Sequence, residues 1–187
     1  LLEQVQQSSG SFGTWSANLK RNVESGRLDS GDINTLREDH RRFAGLATAV
    51  LVLARDNKAP LSTVRQLFDN YQERARSPLP LIQLAAAFKL MGDEGRMKTA
   101  LDQAMAREYG ITRRSQSAYY DEWMGDYGSA VRDYALSYAL ANQYQLRHDR
   151  VENLMSQLAA RLGNRSYLST QEQMALLLAA RAAGGDK

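Results

Sequence analysis

This 187-residue chain has the composition of a globular protein, with 43% hydrophobic residues and a formal charge of +3. Its apolar content is sufficient for a buried core and excludes a disordered chain. The absence of cysteine excludes a disulfide scaffold and nucleophilic catalysis by cysteine. The cations are mostly arginines scattered along the chain. This disfavours nucleic-acid binding, because that function needs basic residues concentrated on one face.

Helical start and stop signals recur at intervals of roughly 15 to 20 residues, the spacing of helix pairs joined by short loops. After a short first helix and a turn-rich segment, the stretch to about Gly31 shows no clear pattern. The predicted helices run, in chain order, to about Gln7, from Ile33 or Glu38 through Arg55, from a cap at Ser62 onward, from Leu81 to Met91, from Asp93 to about Arg107, from Ser129 to about Gln143, from about Asp149 to Leu162 and from Ser169 onward.

The clearest helix boundaries lie in the second half of the chain. Gly92 suits the left-handed end of one helix, and Asp93 is a good cap for the next. Ser169-Thr170-Gln171-Glu172 is a capping box, in which the serine hydroxyl and the glutamate each bind a backbone amide of the other residue. The residues after this box that are predicted to enter the core are Met174, Leu176, Leu177, Leu178 and Ala179.

No strand alternation competes with these helices, so the predicted fold class is all-α. The most apolar run, Phe43 to Ala54, is too short to cross a bilayer and is predicted to be a buried helix. Amphipathic helix pairs must stack to cover their apolar stripes, which gives an open solenoid or a closed ring of hairpins. The segment from Leu84 to Ala104 resembles one tetratricopeptide unit. A helical-repeat binding scaffold is therefore the alternative function, although no second copy follows about 34 residues away.

The long loop predicted over residues 108–127 holds the one grouping that suggests enzymatic chemistry. Its acidic and aromatic residues are Tyr119, Tyr120, Asp121, Glu122, Trp123, Asp126 and Tyr127. Acids beside aromatic rings could serve an αα-barrel glycosidase, with Asp121, Glu122 or Asp126 in the catalytic roles. Burial of the rings against the helices, with the acids left in water, explains the same residues without catalysis and is favoured.

The two histidines offer neither a triad nor a metal site. His40 and His148 sit among charged residues and are predicted to be solvated. They lack the spacing that zinc ligands show. We therefore predict no catalytic, cofactor-binding or metal-binding residue and no enzyme activity.

Three blocks of sequence resemble the thioester domain of bacterial alpha-2-macroglobulins. The first runs from Phe43 to Leu67. The second begins at Leu79-Pro80-Leu81 and includes Gly125-Asp126-Tyr127-Gly128-Ser129 with Arg132-Asp133. The third, Tyr167-Leu168-Ser169-Thr170-Gln171-Glu172, runs into Leu177 to Arg181. The blocks follow the family's order over most of the chain, and the Tyr-Gly-Ser-x-x-Arg-Asp and Leu-Ser-Thr-Gln-Glu patterns are the specific ones.

The resemblance implies an αα-toroid, with residues 1–187 as a single partial domain from the later part of the thioester domain. Members of this family are broad-spectrum endopeptidase inhibitors. A protease cleaves a bait region, the inhibitor rearranges, and an internal Cys-Gln thioester captures the attacker. The resemblance thus implies a non-catalytic segment whose partners are proteases, met through the intact protein, and the other domains of the same chain.

The resemblance also implies a location and two structural roles. The intact protein would be a periplasmic lipoprotein anchored to the inner membrane, with no membrane contact by this segment. Arg132 and Asp133 would tie the loop at Tyr127 to a neighbouring helix.

The family's thioester needs a Cys-x-Glu-Gln motif, which this chain lacks. Leu1-Leu2-Glu3-Gln4 is similar to that motif with leucine in place of cysteine, but the residues after it do not continue the motif's usual surroundings. The chain is therefore either a member without a thioester or a piece whose thioester lies upstream in a longer protein. We favour the second interpretation because too few helices are present for a complete ring, and because no signal peptide opens the chain.

Overall fold

The computed structural model describes residues 1–8, 12–111, 124, 126–163 and 165–185, which contain helices and loops and no strand. This confirms the all-α fold class. The helices are α1 (Leu2–Ser8), α2 (Ala17–Ser25), α3 (Ser30–Arg55), α4 (Leu61–Tyr71), α5 (Pro78–Leu90), α6 (Glu94–Ala106), α7 (Ala130–Gln143), α8 (Val151–Leu162) and α9 (Thr170–Gly184). A short 3-10 turn, Gln72–Arg74, follows α4.

The helices form a row in which α3 packs on α5, α5 on α7 and α7 on α9. A second layer covers this row, since α6 packs on α5 and α8 packs on α7. Residues 91–93 join α5 to α6 and residues 144–150 join α7 to α8, and such short connections make antiparallel hairpins. The predicted stacking of helix pairs is therefore confirmed for the described residues.

The core consists of two clusters that meet in the middle of the row. One lies among α3, α4, α5 and α6, and the other among α2, the first half of α3, α7, α8 and α9. Met105 and Val151 pack against both clusters and join them. Phe68 and Phe88 meet edge to face in the first cluster with their ring centroids 5.5 Å apart.

Helix α5 lies at the centre of the fold. Its residues from Leu79 to Phe88 are apolar on almost every side, and all but Gln83 are buried, as expected of a helix enclosed by neighbours. Ser77 begins the helix by accepting a hydrogen bond from the amide of Leu79. Pro78 follows at the first helical position, where its missing N–H costs nothing. The helix thus starts three residues before the predicted start at Leu81.

The capping residues predicted after α5 are confirmed. Gly92 adopts a φ of 79°, a left-handed conformation that favours glycine. The side chain of Asp93 accepts from the amide of Arg96 at 3.2 Å. Ser129 caps α7, and Ser169 with Glu172 forms the predicted capping box of α9.

The N-terminal part of the chain is more ordered than its sequence suggested. Helix α2, capped by Ser16 and ended by Gly26, occupies the stretch that showed no clear pattern. Helix α3 begins at Ser30, before the predicted Ile33 or Glu38, because Asp29 and Asp32 form a second capping box. The predicted cap at Ser62 is wrong, since α4 starts after Pro60 without a side-chain cap.

The predicted inward face of α9 is confirmed for Ala179, and Leu176 packs partly buried against the core, but it is wrong for three larger residues. Met174, Leu177 and Leu178 are 57%, 48% and 39% exposed, whereas Ala175 and Ala179 are buried against α7. The small alanines allow the two helices to approach closely, so the larger apolar residues point outward. No helix in the described residues is long and apolar enough to cross a membrane.

Candidate functional site

An ion-pair network lies beneath the turn at Tyr127 and contains the Arg132-Asp133 pair. The guanidinium of Arg132 reaches Asp126 through Nη2 at 2.9 Å and Asp133 through Nε at 2.8 Å. The second oxygen of Asp133 accepts from the hydroxyl of Ser77 at 2.5 Å. Asp133 is 1% exposed. The network therefore ties the start of α7 to the start of α5, as was predicted in outline for Arg132 and Asp133.

The charges in this network shift one another's pKa values. Burial raises the pKa of Asp133, although the charge of Arg132 and the bond from Ser77 oppose that shift. Burial acts in the same direction on Asp126, but its contact with His40 and the charge of Arg132 outweigh burial and hold its pKa well below the usual range. Burial would lower the pKa of Arg132, yet the two carboxylates raise it. The guanidinium stays charged because it has partners on both sides.

His40 joins the network from α3. Its ring is fully buried, its Nδ1 accepts from the amide of Arg76 at 3.0 Å, and its Nε2 lies 3.5 Å from Asp126. The prediction of a solvated His40 is therefore wrong. The bond from the Arg76 amide fixes the tautomer, because an accepting Nδ1 leaves the ring proton on Nε2.

The turn above the network presents Tyr127 to solvent. Tyr127 is 90% exposed and has a φ of 58°, a conformation that is rare for a bulky residue and is held only where neighbours enforce it. Asp126 accepts from the amide of Gly128 at 2.9 Å, and a Cβ on Gly128 would overlap the guanidinium of Arg132. The network and the glycine together hold this turn in place.

A second network joins the starts of α7 and α9. Glu172, which is 2% exposed, accepts from the hydroxyl of Ser129 at 2.6 Å, from Arg165 at 2.6 Å and from the amide of Ser169 at 2.8 Å. Burial alone would raise the pKa of Glu172, but these hydrogen bonds and the charge of Arg165 lower it. The two sequence blocks that resemble the family most specifically therefore meet in space.

A third network lies under the N-terminal segment and was not predicted. Asp39 accepts from the indole of Trp15 at 2.7 Å and from Arg74 at 2.6 Å. The guanidinium of Arg74 stacks 4.2 Å from the Trp15 ring centroid and donates to the carbonyl of Gly13 at 2.9 Å. These contacts attach the segment before α2 to α3 and to the 3-10 turn.

A groove lies beside the Tyr127 turn, between α3, α5 and α7. Its volume is about 480 Å³. The residues that line its outer part are Arg41, Gly45, Thr48, Pro80, Gln83 and Tyr127, and the Arg132 network forms its polar floor.

The charged side chains of these three networks pair with one another, an arrangement that stabilises the fold. A general acid needs a raised pKa, whereas the pKa of Asp126 is lowered. His148 contacts Asp102 at 3.0 Å on the surface. Asp121, Glu122 and the rings of Tyr119, Tyr120 and Trp123 lie outside the described residues. Within the part of the chain that the structure covers, no cluster of His, Asp or Glu could hold a metal.

The fold and these networks define an arrangement of stacked antiparallel helix pairs whose helix starts are joined by hydrogen bonds to buried carboxylates. Curated relatives match most of this chain in sequence. Alpha-2-macroglobulin of Escherichia coli (strain K12) is 39% identical over 140 residues, which is 75% of this chain. Alpha-2-macroglobulin of Xylella fastidiosa is 39% identical over 145 residues. No protein-family profile matches the chain.

Solved structures agree with the sequence relatives. Trypsin-activated alpha-2-macroglobulin from Escherichia coli superposes with a TM-score of 0.69 and 32% identity over 96% of this chain and 10% of that chain. Salmonella alpha-2-macroglobulin reacted with methylamine gives 0.68 and 34% over 97% of this chain and 10% of that chain. The chain belongs to the alpha-2-macroglobulin family. It spans 8% of the length of the curated relatives it matches.

Proposed function

We propose that this chain is a non-catalytic helical segment of a protease-trapping inhibitor, in which it frames a thioester located outside the chain. The observation that carries the proposal is the match to solved alpha-2-macroglobulins over 96% to 97% of the chain. Those structures are of proteins activated by trypsin or porcine elastase, or reacted with methylamine. Activation by proteases and reaction with an amine are the reactions expected of an inhibitor that contains a thioester.

The helix arrangement supports a place in an αα-toroid. Ser77, Ser129 and Ser169 cap α5, α7 and α9. Side chains join these caps, through Asp133 and Arg132 between the first two and through Glu172 between the last two. The three helices therefore start at the same end of the row, with α6 and α8 returning in the second layer. Parallel helices alternating with a second layer are the arrangement that an αα-toroid needs.

The segment's own role in this proposal is mechanical. A trap must hold its reactive group in place until a protease cleaves the bait, so the surrounding helices must not shift spontaneously. Buried carboxylates that accept hydrogen bonds from the cap of a neighbouring helix join the three helix starts. They resist such shifts, because breaking a bond to a buried charge is costly. The partners of the segment are then the other domains of the intact inhibitor, and proteases are met through the whole molecule.

The location in this proposal is the periplasm, with the intact inhibitor anchored to the inner membrane as a lipoprotein. The support is the family membership alone. Cell fractionation tests it: the intact gene product, detected by antibody, should sediment with inner membranes and be digested by protease added to spheroplasts. Recovery in the cytosol would contradict this part of the proposal.

The inhibitory function is tested on the intact protein with trypsin and two substrates. A trap that encloses trypsin should block the digestion of casein while leaving the hydrolysis of a small chromogenic peptide largely intact. Pretreatment with methylamine should abolish covalent capture on a denaturing gel. Equal hydrolysis of casein with and without the protein would refute the inhibitor function.

The same gel addresses the thioester. Covalent adducts with trypsin would support a thioester in the intact protein and outside this chain, since residues 1–4 are Leu-Leu-Glu-Gln. Inhibition without adducts would reject that part of the proposal and favour a member in which leucine replaces the thioester cysteine.

A further inference from the structure

Two arginines, Arg76 and Arg107, line a cavity and form no ion pair with a carboxylate among the described residues. The cavity is bounded by α2, α3 and the segment after α6, has a volume of about 310 Å³, and is lined by Val23, Leu28, Leu36, Arg76, Arg107 and Ile111, among others. This volume is at the lower end of the range for small-ligand pockets, roughly 300 to 1,000 Å³. Glu108 also lines the cavity and is exposed.

The hydrogen bonds of these arginines leave donors unused. Nη1 of Arg107 donates to the carbonyls of Ala75 at 2.5 Å and of Gln72 at 3.5 Å. One terminal nitrogen of Arg76 donates to the carbonyl of Glu73. Nε of Arg76 is buried and has no hydrogen-bond partner among the described residues. An unpaired buried donor is costly and is satisfied by any acceptor that fits.

The nearby carboxylates make no ion pair with Arg76 or Arg107 among the described residues. Asp39 and Glu73 pair with Arg74, at 2.6 Å and 3.9 Å, and Arg74 stacks on Trp15 next to Arg76. Glu108 lines the cavity but is exposed. The donors of Arg76 and Arg107 that face the cavity are therefore not used by a carboxylate of the described residues.

The pKa values of both arginines are lowered. Burial, together with the repulsion from Arg107, lowers the pKa of Arg76 to about 10. Burial also lowers the pKa of Arg107. Both groups remain charged at neutral pH, so the protein carries two partly buried cations that repel each other, an arrangement that a bound anion would relieve.

We propose that the cavity between Arg76 and Arg107 is a binding site for an oxyanion, either a carboxylate or a phosphate group on a small molecule. The planar guanidinium is suited to both because it can donate two parallel hydrogen bonds to such a group. Val23, Leu36 and Ile111 form apolar parts of the wall, and a low local dielectric beside them would strengthen the interaction. This site is separate from the network under Tyr127 and goes beyond the proposed inhibitory function.

Isothermal titration calorimetry with sodium phosphate and with sodium succinate, at constant pH and ionic strength, tests the site. We expect one anion per chain, and we expect Arg76→Gln and Arg107→Gln each to weaken binding by about tenfold or more. Arg147→Gln, which removes an exposed arginine outside the cavity, is the matched control and should bind as the parent does. Stronger binding of phosphate assigns the site to phosphate groups, and stronger binding of succinate assigns it to carboxylates.

A further variant separates loss of binding from loss of folding. Ala106→Leu narrows the exposed side of the cavity while keeping both arginines and the carbonyl bonds of Arg107, and it should also weaken binding. Circular dichroism checks that each variant is helical. No heat with either anion, or equal affinity in the parent and all three cavity variants, would overturn the proposal.

Discussion

The central prediction concerns Arg132→Met, which keeps most of the side-chain volume and removes the charge. Asp133, 1% exposed, would lose its ion pair and keep only the bond from Ser77, and Asp126 would lose the same cation. Removing one partner of a buried ion pair typically costs about 3–5 kcal/mol. The total stability of a domain is about 5–15 kcal/mol, so the loss should be a large share of it.

The assay is urea unfolding followed by circular dichroism at neutral pH. With a slope of about 1–3 kcal/mol per molar urea, the midpoint should fall by at least about 1 M. The double variant Arg132→Met/Asp133→Leu should recover part of the loss, because replacing both members of a buried pair by apolar residues is often nearly neutral. An unchanged midpoint in Arg132→Met would refute the structural role of the pair. The same conclusion would follow if the double variant lost as much stability as Arg132→Met and Asp133→Leu lose in sum.

Three further predictions concern other parts of the fold. Glu172 has a lowered pKa in the folded state. Its contribution to stability is therefore fully present above the usual glutamate pKa of 4.5 and is lost as the pH falls through the lowered pKa. Glu172→Gln should remove this loss, so that stability measured against pH falls less steeply on the acid side. Gly128→Ala should cost at least about 1 kcal/mol of stability, because the added Cβ displaces the guanidinium of Arg132. Gly45→Ala lies in open space within α3 and should stabilise the fold by up to about 1 kcal/mol. A higher melting temperature for Gly128→Ala than for Gly45→Ala would contradict this. On α9, Met174→Gln should change stability by no more than about 0.5 kcal/mol, while Ala175→Leu should cost about 1–3 kcal/mol by overpacking, and equal melting temperatures would count against the inward face described above.

The parts of the fold that sequence could predict are those encoded locally. The caps at Asp93, Ser129 and Ser169 each bind an amide three residues ahead, so each cap is encoded within four consecutive residues. The family resemblance was carried by the same kind of short block. The starts of α6, α7 and α9 and the all-α class therefore followed from neighbouring residues.

Beyond the role predicted for Arg132 and Asp133, the networks could not be predicted because their partners are distant in sequence. Trp15 and Asp39 are 24 residues apart, and Arg74 and Asp39 are 35 apart. The neighbours of His40 in sequence are charged, which indicated a solvated surface, yet its contacts come from Arg76 and Asp126. The packing of α3 on α5 and of α5 on α7 brings these groups together.

The prediction that Met174, Leu177 and Leu178 of α9 face the core was wrong for a different reason. Its sequence is apolar on more than one side, so helical periodicity alone does not select a face. Contact with α7 selects the side that carries Ala175 and Ala179, since two helices approach more closely over small residues. Size complementarity with a neighbour, and not hydrophobicity, decided the orientation.

The carboxylate of Glu172 has a consequence for how the fold opens. It accepts from Ser129, the cap of α7, and from the amide of Ser169, the cap of α9, so neither helix can fray at its first turn without disturbing the other. We expect the amides of both first turns to exchange with deuterium at similar rates, as one cooperative unit. The first turns of two helices whose starts are 40 residues apart would then open and close together.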